Sequence, residues 1–281
     1  MADKRQKIQA CVLRVLVWTA AIITVVVLLL LIGYILIKGV PNLKPSLFAW
    51  KYTTDNVSMM PAIINTLIMT FLSLLIAVPL GVFSAIYLVE YARRGNKLVR
   101  IVRMTTETLS GIPSIVYGLF GYLMFGVALH WGYSMMSGAL TLAIMVLPSM
   151  MRTTEEALKA VPDSYREGSY GLGVGKLRTV FVVLLPSAMP GILSGVILAI
   201  GRITGETAAL IYTAGTVAGI PKNLFSSGRT LAIHMYALLN EGLYMEESYA
   251  TAVVLLVMVL LINALSSFIA KRFSAKASGD G

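Results

Sequence analysis

Ionisable side chains at the ends of apolar stretches are the residues of this sequence best placed to do chemistry. Arg202 and Glu206 lie four residues apart at the end of one long apolar run, and Arg152 ends another. Charges inside a membrane segment are costly and usually face a cavity or each other. Because the planar guanidinium of arginine can bind two oxygens of an oxyanion at once, we interpret these residues as a path for an anion. Glu206 would then hold Arg202 while the path is empty.

A purely structural interpretation of the same residues stays open. Residues four apart share one face of a helix, so Arg202 and Glu206 could form an ion pair that only fixes helix packing. Arg152 could extend its charge to the membrane edge instead of contacting an anion. The sequence does not decide between the two interpretations.

Motifs for catalysis and for metal or nucleotide binding do not occur. The chain has one cysteine, Cys11, and two distant histidines, His130 and His234, which excludes a cysteine cluster and gives no metal-ligand spacing. The glycine-rich run at 171–176 lacks the spacing of a phosphate-binding G-x-x-x-x-G-K-[ST] loop. There is no H-E-x-x-H motif, no nucleophile elbow and no nucleophile–base pair. We therefore predict that the chain is not an enzyme, and that any energy comes from another subunit or an ion gradient.

The composition indicates a membrane protein. Hydrophobic residues make up 57% of the 281 residues and charged residues only 13%, against about 25% charged residues in soluble domains. Apolar segments of spanning length predict an all-α protein with six transmembrane helices. The first segment is too long for the core of a signal peptide, so we expect it to be retained. The predicted spans are 15–37, 62–91, 105–129, 138–151, 180–205 and 249–269.

The basic residues predict the orientation of the spans. A short loop after the second span carries five of them, and others lie near both termini and within 154–186. Cytoplasmic loops are rich in Lys and Arg, so we expect both termini and these loops to be cytoplasmic. The same distribution explains the net charge of +10 without a nucleic-acid partner. The five basic residues of the loop are Arg93, Arg94, Lys97, Arg100 and Arg103.

Three regions follow from this layout. Residues 1–60 hold an N-terminal tail, the first span and an extracytoplasmic loop; residues 61–270 form the core; residues 271–281 form a cytoplasmic tail. In the fifth span, Gly191-x-x-x-Gly195 and Gly201-x-x-x-Gly205 are both of the type that allows close helix packing. We expect one of the two to be such a face.

The segment 154–186 is rich in charge and lies between two apolar spans. Ser164 and Glu167 have the spacing of a capping box, which predicts a short helix starting near Ser164. Gly171, Gly173 and Gly175 then predict its end. A second helix would start at Lys176 and continue into the fifth span.

This segment resembles the EAA loop of importer-type ABC transporter permeases. The matching pattern is Glu167-Gly168-Ser169-x-x-x-Gly173, then nine residues, then Val183-x-Leu185-Pro186. Gly168 and Ser169 replace the two alanines of that family, and the spacing is intact. In the family this loop docks into a groove of the ATPase subunit. The resemblance therefore implies a type I ABC importer permease fold and a role in ATPase coupling for Glu167, Gly168, Ser169, Gly173, Leu185 and Pro186.

Further motifs resemble the phosphate-specific transport permeases, and in particular the A-type subunit. They are Asn65-Thr66-Leu67, Gly111-Ile112-Pro113-Ser114-Ile115-Val116-Tyr117-Gly118, Leu147-Pro148 with Arg152-Thr153-Thr154-Glu155-Glu156-Ala157-Leu158, and Gly201-Arg202-Ile203-Thr204-Gly205-Glu206-Thr207-Ala208-Ala209-Leu210. The match covers roughly residues 60–270 and leaves out the first span.

The resemblance implies a subunit that moves inorganic phosphate across the inner membrane of a prokaryotic cell. Its partners would be a homologous C-type permease, two ATPase subunits and an extracytoplasmic phosphate-binding protein. ATP and Mg²⁺ would be bound by the ATPase subunits, and this chain would have no cofactor. A sulfate or molybdate permease and a secondary anion transporter remain alternatives.

Overall fold

The computed structural model describes residues 2–93 and 95–277, which are helical along most of their length. π-Helical turns extend three helices: Tyr87–Tyr91 continues α2, Tyr122–Ala128 continues α4, and Thr179–Leu184 joins α7 to α8. Arg94 and positions 278–281 of the predicted tail lie outside the described residues. The helices, in chain order, are α1 (Ala2–Gly39), α2 (Met60–Ile86), α3 (Lys97–Ser110), α4 (Ser114–Gly121), α5 (Met135–Ala160), α6 (Asp163–Gly171), α7 (Lys176–Arg178), α8 (Leu185–Thr204), α9 (Ala208–Thr213), α10 (Leu231–Glu241) and α11 (Met245–Ala277).

Five stretches of helix are each long and apolar enough to cross a membrane. The predicted spans other than the third coincide with them, which confirms the all-α membrane fold. The number of spans rises to six when α3 and α4 are counted together as one broken span. The five stretches are Ala10–Asn42, Met60–Tyr91, Met135–Ala160, Lys176–Thr204 and Met245–Arg272.

The third span differs from its prediction. Instead of one straight helix over 105–129, the chain forms α3 and α4, which meet at an angle of 106°. The break lies at Gly111-Ile112-Pro113, because a residue before proline is disfavoured in the helical region and Pro113 has no N–H. The basic segment that we predicted as a loop is helical from Lys97 onward.

The corner between α3 and α4 is held by a hydrogen bond. The hydroxyl of Tyr117, a buried residue of α4, donates to the carbonyl oxygen of Leu109 near the end of α3, at 2.8 Å. That carbonyl lies in the last turn of α3, where the helix itself offers fewer donors. The next residue of α4, Gly118, packs directly against α9: a Cβ added there would come within 2.8 Å of the Cα of Ala209.

The core of the bundle is formed by α2, α5 and α8, with α5 packed against both of the others. Leu142 and Met145 of α5 are fully buried in the same apolar cluster as Met69 of α2 and Ile203 of α8. Burial of such side chains supplies the packing that membrane helices depend on in place of a hydrophobic effect.

One of the two GxxxG motifs is a packing face, as expected. A Cβ added at Gly191 would lie 2.6 Å from the Cβ of Ala157, and one added at Gly195 would collide with the side chain of Thr153, so α8 touches α5 at both glycines. At Gly201 the nearest atom would be 3.9 Å away, on Asn263. Only the first motif therefore brings two helices into close contact.

The first helix joins the bundle near its C-terminal end. Gly39 of α1 lies against the backbone of Tyr249 in α11, and the hydroxyls of Tyr34 and Tyr249 are 3.3 Å apart. Most of the apolar side chains of α1 are exposed. Such an exposed apolar surface fits a helix surrounded by lipid.

Candidate coupling site and anion path

The short helix α6 begins one residue from the predicted start near Ser164, which confirms its position, but its cap differs from the prediction. α5 continues to Ala160, and α6 begins at Asp163 directly after Pro162, with no side-chain cap. Ser164 is already inside the first turn. The predicted capping box of Ser164 and Glu167 is therefore wrong, since proline already sets the extended backbone that an N-cap needs and Asp163 places an acidic side chain in the first turn.

The end of α6 is a Schellman motif around Gly173. Its φ is +75°, which only glycine adopts without strain. The amide of Gly173 donates to the carbonyl of Tyr170 at 2.9 Å, and that of Val174 donates to the carbonyl of Ser169 at 3.1 Å. Of the three glycines predicted to end this helix, Gly173 is the one with a positive φ.

Ser169 connects α6 to the helix that enters the fifth span. Its buried hydroxyl lies 2.8 Å from the hydroxyl of Thr179, which also donates to the carbonyl of Gly175. An alanine at position 169 would lack this contact. The serine that replaces the second alanine of the EAA pattern thus ties the two arms of the helix–turn–helix together.

Arg166 fixes α6 to the rest of the bundle, a role that the sequence analysis did not predict. Its guanidinium makes five hydrogen bonds, to Glu90, Asp163 and the carbonyls of Leu158 and Val161. Five is the full number of its N–H donors. Glu90 lies in the π-helical end of α2, so Arg166 joins α6, the end of α5 and the end of α2. Glu90 and Arg166 are 76 positions apart in the sequence, so no local pattern could have indicated their contact.

The outward face of α6 is exposed and partly apolar. Glu167 and Gly168 are exposed on it, together with the rings of Tyr165 and Tyr170. Leu172, in the turn that follows, has 86% of its surface exposed. A cluster of exposed aromatic and aliphatic side chains rimmed by charge is typical of a protein–protein contact.

Leu185 and Pro186 lie at the base of the same unit rather than on its outer face. Leu185 packs against the buried cluster that includes Leu158 and Leu184. Pro186 has no N–H to donate, and it lies in the first turn of α8, which follows the π-helical turn Thr179–Leu184. These two residues therefore belong to the start of α8 and not to the exposed face of α6.

Arg152 lies at the same end of the bundle as α6, which we define as the coupling end. Its Nε donates to Glu156 one turn later at 3.0 Å, and both side chains are largely exposed. A cleft of about 390 Å³ beside it is also lined by Arg103, Glu107 and Glu155. Arg152 is thus accessible to a soluble anion, but its charge is already paired.

Arg202 and Glu206 do not form the predicted pair. α8 ends at Thr204 with Gly205 as its C-cap, so Glu206 is no longer on the same helix. The carboxylate of Glu206 accepts the amide of Ala209 at 3.1 Å and caps α9. Arg202 takes part in none of the ion pairs within 4 Å that the described residues form, and its charge lies near the phenol of Tyr117.

A buried polar cluster lies at the opposite end of the bundle. Asn65 donates to the carbonyls of Gly219 and Arg229, each at 3.1 Å. The guanidinium of Arg229, which is 4% exposed, lies 4.7 Å above the ring of Tyr52. Burial, together with the charge of Arg229, lowers the pKa of His234 in α10 to about 3. The motif Asn65-Thr66-Leu67 contains one residue of this cluster, but no local sequence pattern indicated Arg229 or His234.

Comparisons with known proteins agree with this architecture. The family described as "Binding-protein-dependent transport system inner membrane component" matches residues 77–279. The probable ABC transporter permease protein YqgI of Bacillus subtilis is 36% identical over 282 residues, covering 91% of this chain and 94% of the relative. The phosphate transport system permease protein PstA 1 of Mycobacterium tuberculosis is 36% identical over 217 residues, covering 75% of this chain and 71% of its own length. PstA of Pasteurella multocida is 35% identical, with 80% and 81% covered.

Solved structures share the fold at low sequence identity. A bacterial alginate ABC transporter aligns with a TM-score of 0.67 at 14% identity, over 92% of this chain and 95% of its own. An amino acid ABC transporter aligns with a TM-score of 0.57 at 21% identity, over 76% and 93%. The resemblance inferred from the motifs is confirmed. The chain belongs to the binding-protein-dependent transport system inner membrane components, and it is an inner-membrane permease with the fold of type I ABC importers.

Proposed function

We propose that this chain is a permease subunit of an ATP-driven importer that moves inorganic phosphate into the cell. It forms the membrane pathway together with a homologous C-type permease. An extracytoplasmic phosphate-binding protein delivers the substrate, and two ATPase subunits, which bind ATP and Mg²⁺, drive transport. The coupling end then faces the cytoplasm, in agreement with its basic residues.

The observation that carries the proposal is the construction of α6. Its outer face, with Glu167, Tyr165, Tyr170 and Leu172, is free to contact another protein. Its inner side is fixed by Arg166 to α2 and α5. A surface helix that is this firmly attached can pass a displacement from a docked ATPase to the spanning helices. A secondary anion transporter has no need of such a device.

The choice of phosphate is supported by the relatives. Several of them are phosphate transport system permease proteins at 31–36% identity. Arg202 is the residue that we assign to the anion path, because its fork geometry suits two oxygens of one phosphate. Arg152 contributes only if its pair with Glu156 opens, and Glu206 acts by holding α9 in place.

The proposal is tested by co-expressing the chain with its partner permease, ATPase and binding protein, and by reconstituting the purified complex in liposomes. We expect phosphate with the binding protein to stimulate ATP hydrolysis and labelled phosphate to accumulate, whereas sulfate and molybdate do neither. Stimulation by sulfate or molybdate alone would show that another oxyanion is the substrate. Transport that follows an ion gradient without ATPase subunits would contradict the ATP-driven mechanism.

A further inference from the structure

A cleft at the coupling end separates α3 from the ends of α2, α5 and α6. Its volume is about 770 Å³. Residues from all of these elements line it, among them Glu90, Arg93, Arg100, Glu107 and Lys159. The proposed function assigns no ligand to this cleft.

The cleft carries more positive than negative charge. Five basic residues and three acidic ones line it. Arg103 and Lys159 are both bound to Glu155, and Arg166 is bound to Glu90 and Asp163. The remaining two arginines, Arg93 and Arg100, have no ion-pair partner within 4 Å among the described residues, and their side chains are exposed. Among the described residues, Glu107 is the one acidic residue of the lining without such a partner. Two arginines without a partner against one such glutamate leave the cleft with a net positive charge, which favours an anion.

An apolar groove of about 460 Å³ adjoins the basic cleft. The two share Leu88, Asn96 and Val99 in their linings, so each opens next to the other. The groove runs between Phe83 and Tyr87 of the α2 span and Leu98 of α3. The side chains of these three residues are largely exposed.

The depth of the groove matches the edge of a bilayer. The α2 span ends at Tyr91, so Phe83 lies about 12 Å from its end at ~1.5 Å per residue. Arg93 follows directly after the span. The groove is therefore at the depth of the upper acyl chain, and the basic cleft at the depth of the headgroups. α3 itself is amphipathic, with Leu98 and Ile101 on one face and Arg100 and Arg103 on another.

We propose that this composite pocket binds one anionic phospholipid. Arg93 and Arg100 bind the headgroup phosphate, and the groove between α2 and α3 holds the start of one acyl chain. Two features together select this ligand: the basic cleft selects for negative charge, and the adjoining groove selects for a hydrocarbon chain. A free inorganic anion would bind in the basic cleft and would make no use of the apolar groove.

The test measures which lipid stays with the complete transporter complex. The complex is purified in mild detergent, incubated with equal amounts of phosphatidylglycerol and phosphatidylcholine of the same chain length, and examined by native mass spectrometry. We expect preferential retention of phosphatidylglycerol, unchanged by millimolar inorganic phosphate. The double variant Arg93→Gln, Arg100→Gln should retain at least about tenfold less, because two surface charges that attract the headgroup are lost.

The matched control is the double variant Lys51→Gln, Lys222→Gln, which removes the same charge from exposed sites in the loops at the other end of the bundle. It should bind phosphatidylglycerol like the unmodified complex.

Tyr87→Ala should weaken lipid retention by opening one wall of the groove. Equal retention by the arginine variant and the control would overturn the proposal, as would displacement by inorganic phosphate. Loss of the partner permease from the arginine variant would show instead that this face is a subunit interface.

Discussion

Arg166 binds one oxygen of Glu90 through two hydrogen bonds, at 2.8 Å from Nη2 and 3.2 Å from Nε, across 76 positions of sequence. Only 16% of the arginine side chain and 6% of the glutamate side chain are exposed. The pair therefore joins the helix proposed to contact the ATPase to the first helix of the core, in a place that water barely reaches. It is the contact through which we expect coupling to pass.

Arg166→Met should lower the stability of the chain by about 3–5 kcal/mol, because the carboxylate of Glu90 is then buried without its partner. Adding Glu90→Leu should recover part of that loss. Thermal unfolding of the purified protein in detergent measures both. The exposed pair of Lys44 and Glu247, 3.8 Å apart, is the control, and Lys44→Met should change stability by no more than about 1 kcal/mol. Equal effects of Arg166→Met and Lys44→Met would contradict the buried role of Arg166.

Two glycines of α8 should respond in opposite ways to alanine. Gly191→Ala places a methyl group 2.6 Å from the Cβ of Ala157, which should cost about 1–3 kcal/mol as α5 and α8 are pushed apart. Gly201→Ala makes only an ordinary van der Waals contact, 3.9 Å from the side chain of Asn263, and should be neutral or slightly stabilising, because alanine favours the helix. The melting temperatures of the two variants, measured in the same detergent, would be compared. A lower melting temperature for Gly201→Ala than for Gly191→Ala would show that the packing face is misassigned.

Gly168 and Gly173 give a matched pair within the proposed coupling unit. Gly173→Ala forces a side chain into a backbone conformation with φ of +75° and should cost about 1 kcal/mol or more, loosening the turn after α6. Gly168→Ala meets nothing within 4 Å and restores the residue of the EAA pattern. We expect less ATPase to co-purify with Gly173→Ala and normal amounts with Gly168→Ala. Normal ATPase recovery with Gly173→Ala would show that the turn does not shape the docking surface.

His234 predicts a pH dependence of stability. Its pKa in the folded chain is about 3, below the ordinary value of about 6.5, so at intermediate pH the unfolded chain binds a proton that the folded chain does not. The contribution is complete above about pH 6.5 and is lost as pH falls toward 3, by at most about 1.4 kcal/mol per pH unit. Unfolding curves at pH 7, 6 and 5 should therefore diverge between the unmodified chain and His234→Gln. His130→Gln is the control. Parallel behaviour of His234→Gln and the unmodified chain over this range would contradict the assignment.

Arg202→Lys tests the anion path. Lysine keeps the charge and loses the fork that binds two oxygens, so phosphate uptake should fall roughly tenfold or more, as expected for a lost charged hydrogen bond. Membrane abundance should stay normal. Glu206→Gln keeps a carbonyl oxygen for the amide of Ala209 and should transport nearly as well as the unmodified chain. Because the two residues are not paired, exchanging their charges should not restore uptake. Normal uptake by Arg202→Lys would remove Arg202 from the path.

The five long spanning helices could be predicted from hydropathy, because a spanning segment must be long and apolar whatever surrounds it. The direction of the third span could not. Hydropathy gives no information about the angle between two helices. The residues at the break, Gly111-Ile112-Pro113, were visible in the sequence, but glycine and proline are also common in straight membrane helices. The amphipathic pattern that begins at Lys97 would have indicated a separate helix.

The candidate site was predictable only where it depends on local geometry. Gly173 ends α6 because a left-handed backbone favours glycine, and this can be inferred from the sequence. The capping box failed because Pro162 already fixed the start of the helix. The Arg202–Glu206 pair failed because α8 ends two residues before Glu206. The contact between Arg166 and Glu90 joins distant parts of the chain, and a single sequence contains no periodicity that reports it.

The hydrogen bond between Tyr117 and the carbonyl of Leu109 couples the two helices that meet at the corner between α3 and α4. This contact favours rotation of the two helices together, and α4 packs closely against α9 at Gly118, where there is no room for a Cβ. The other helix, α3, has 14 residues and is about 21 Å long. A rotation of both helices by roughly 5°, starting at α9, would therefore move the far end of α3 by about 2 Å. A small rotation at α9 would in this way become a larger displacement at the far end of α3.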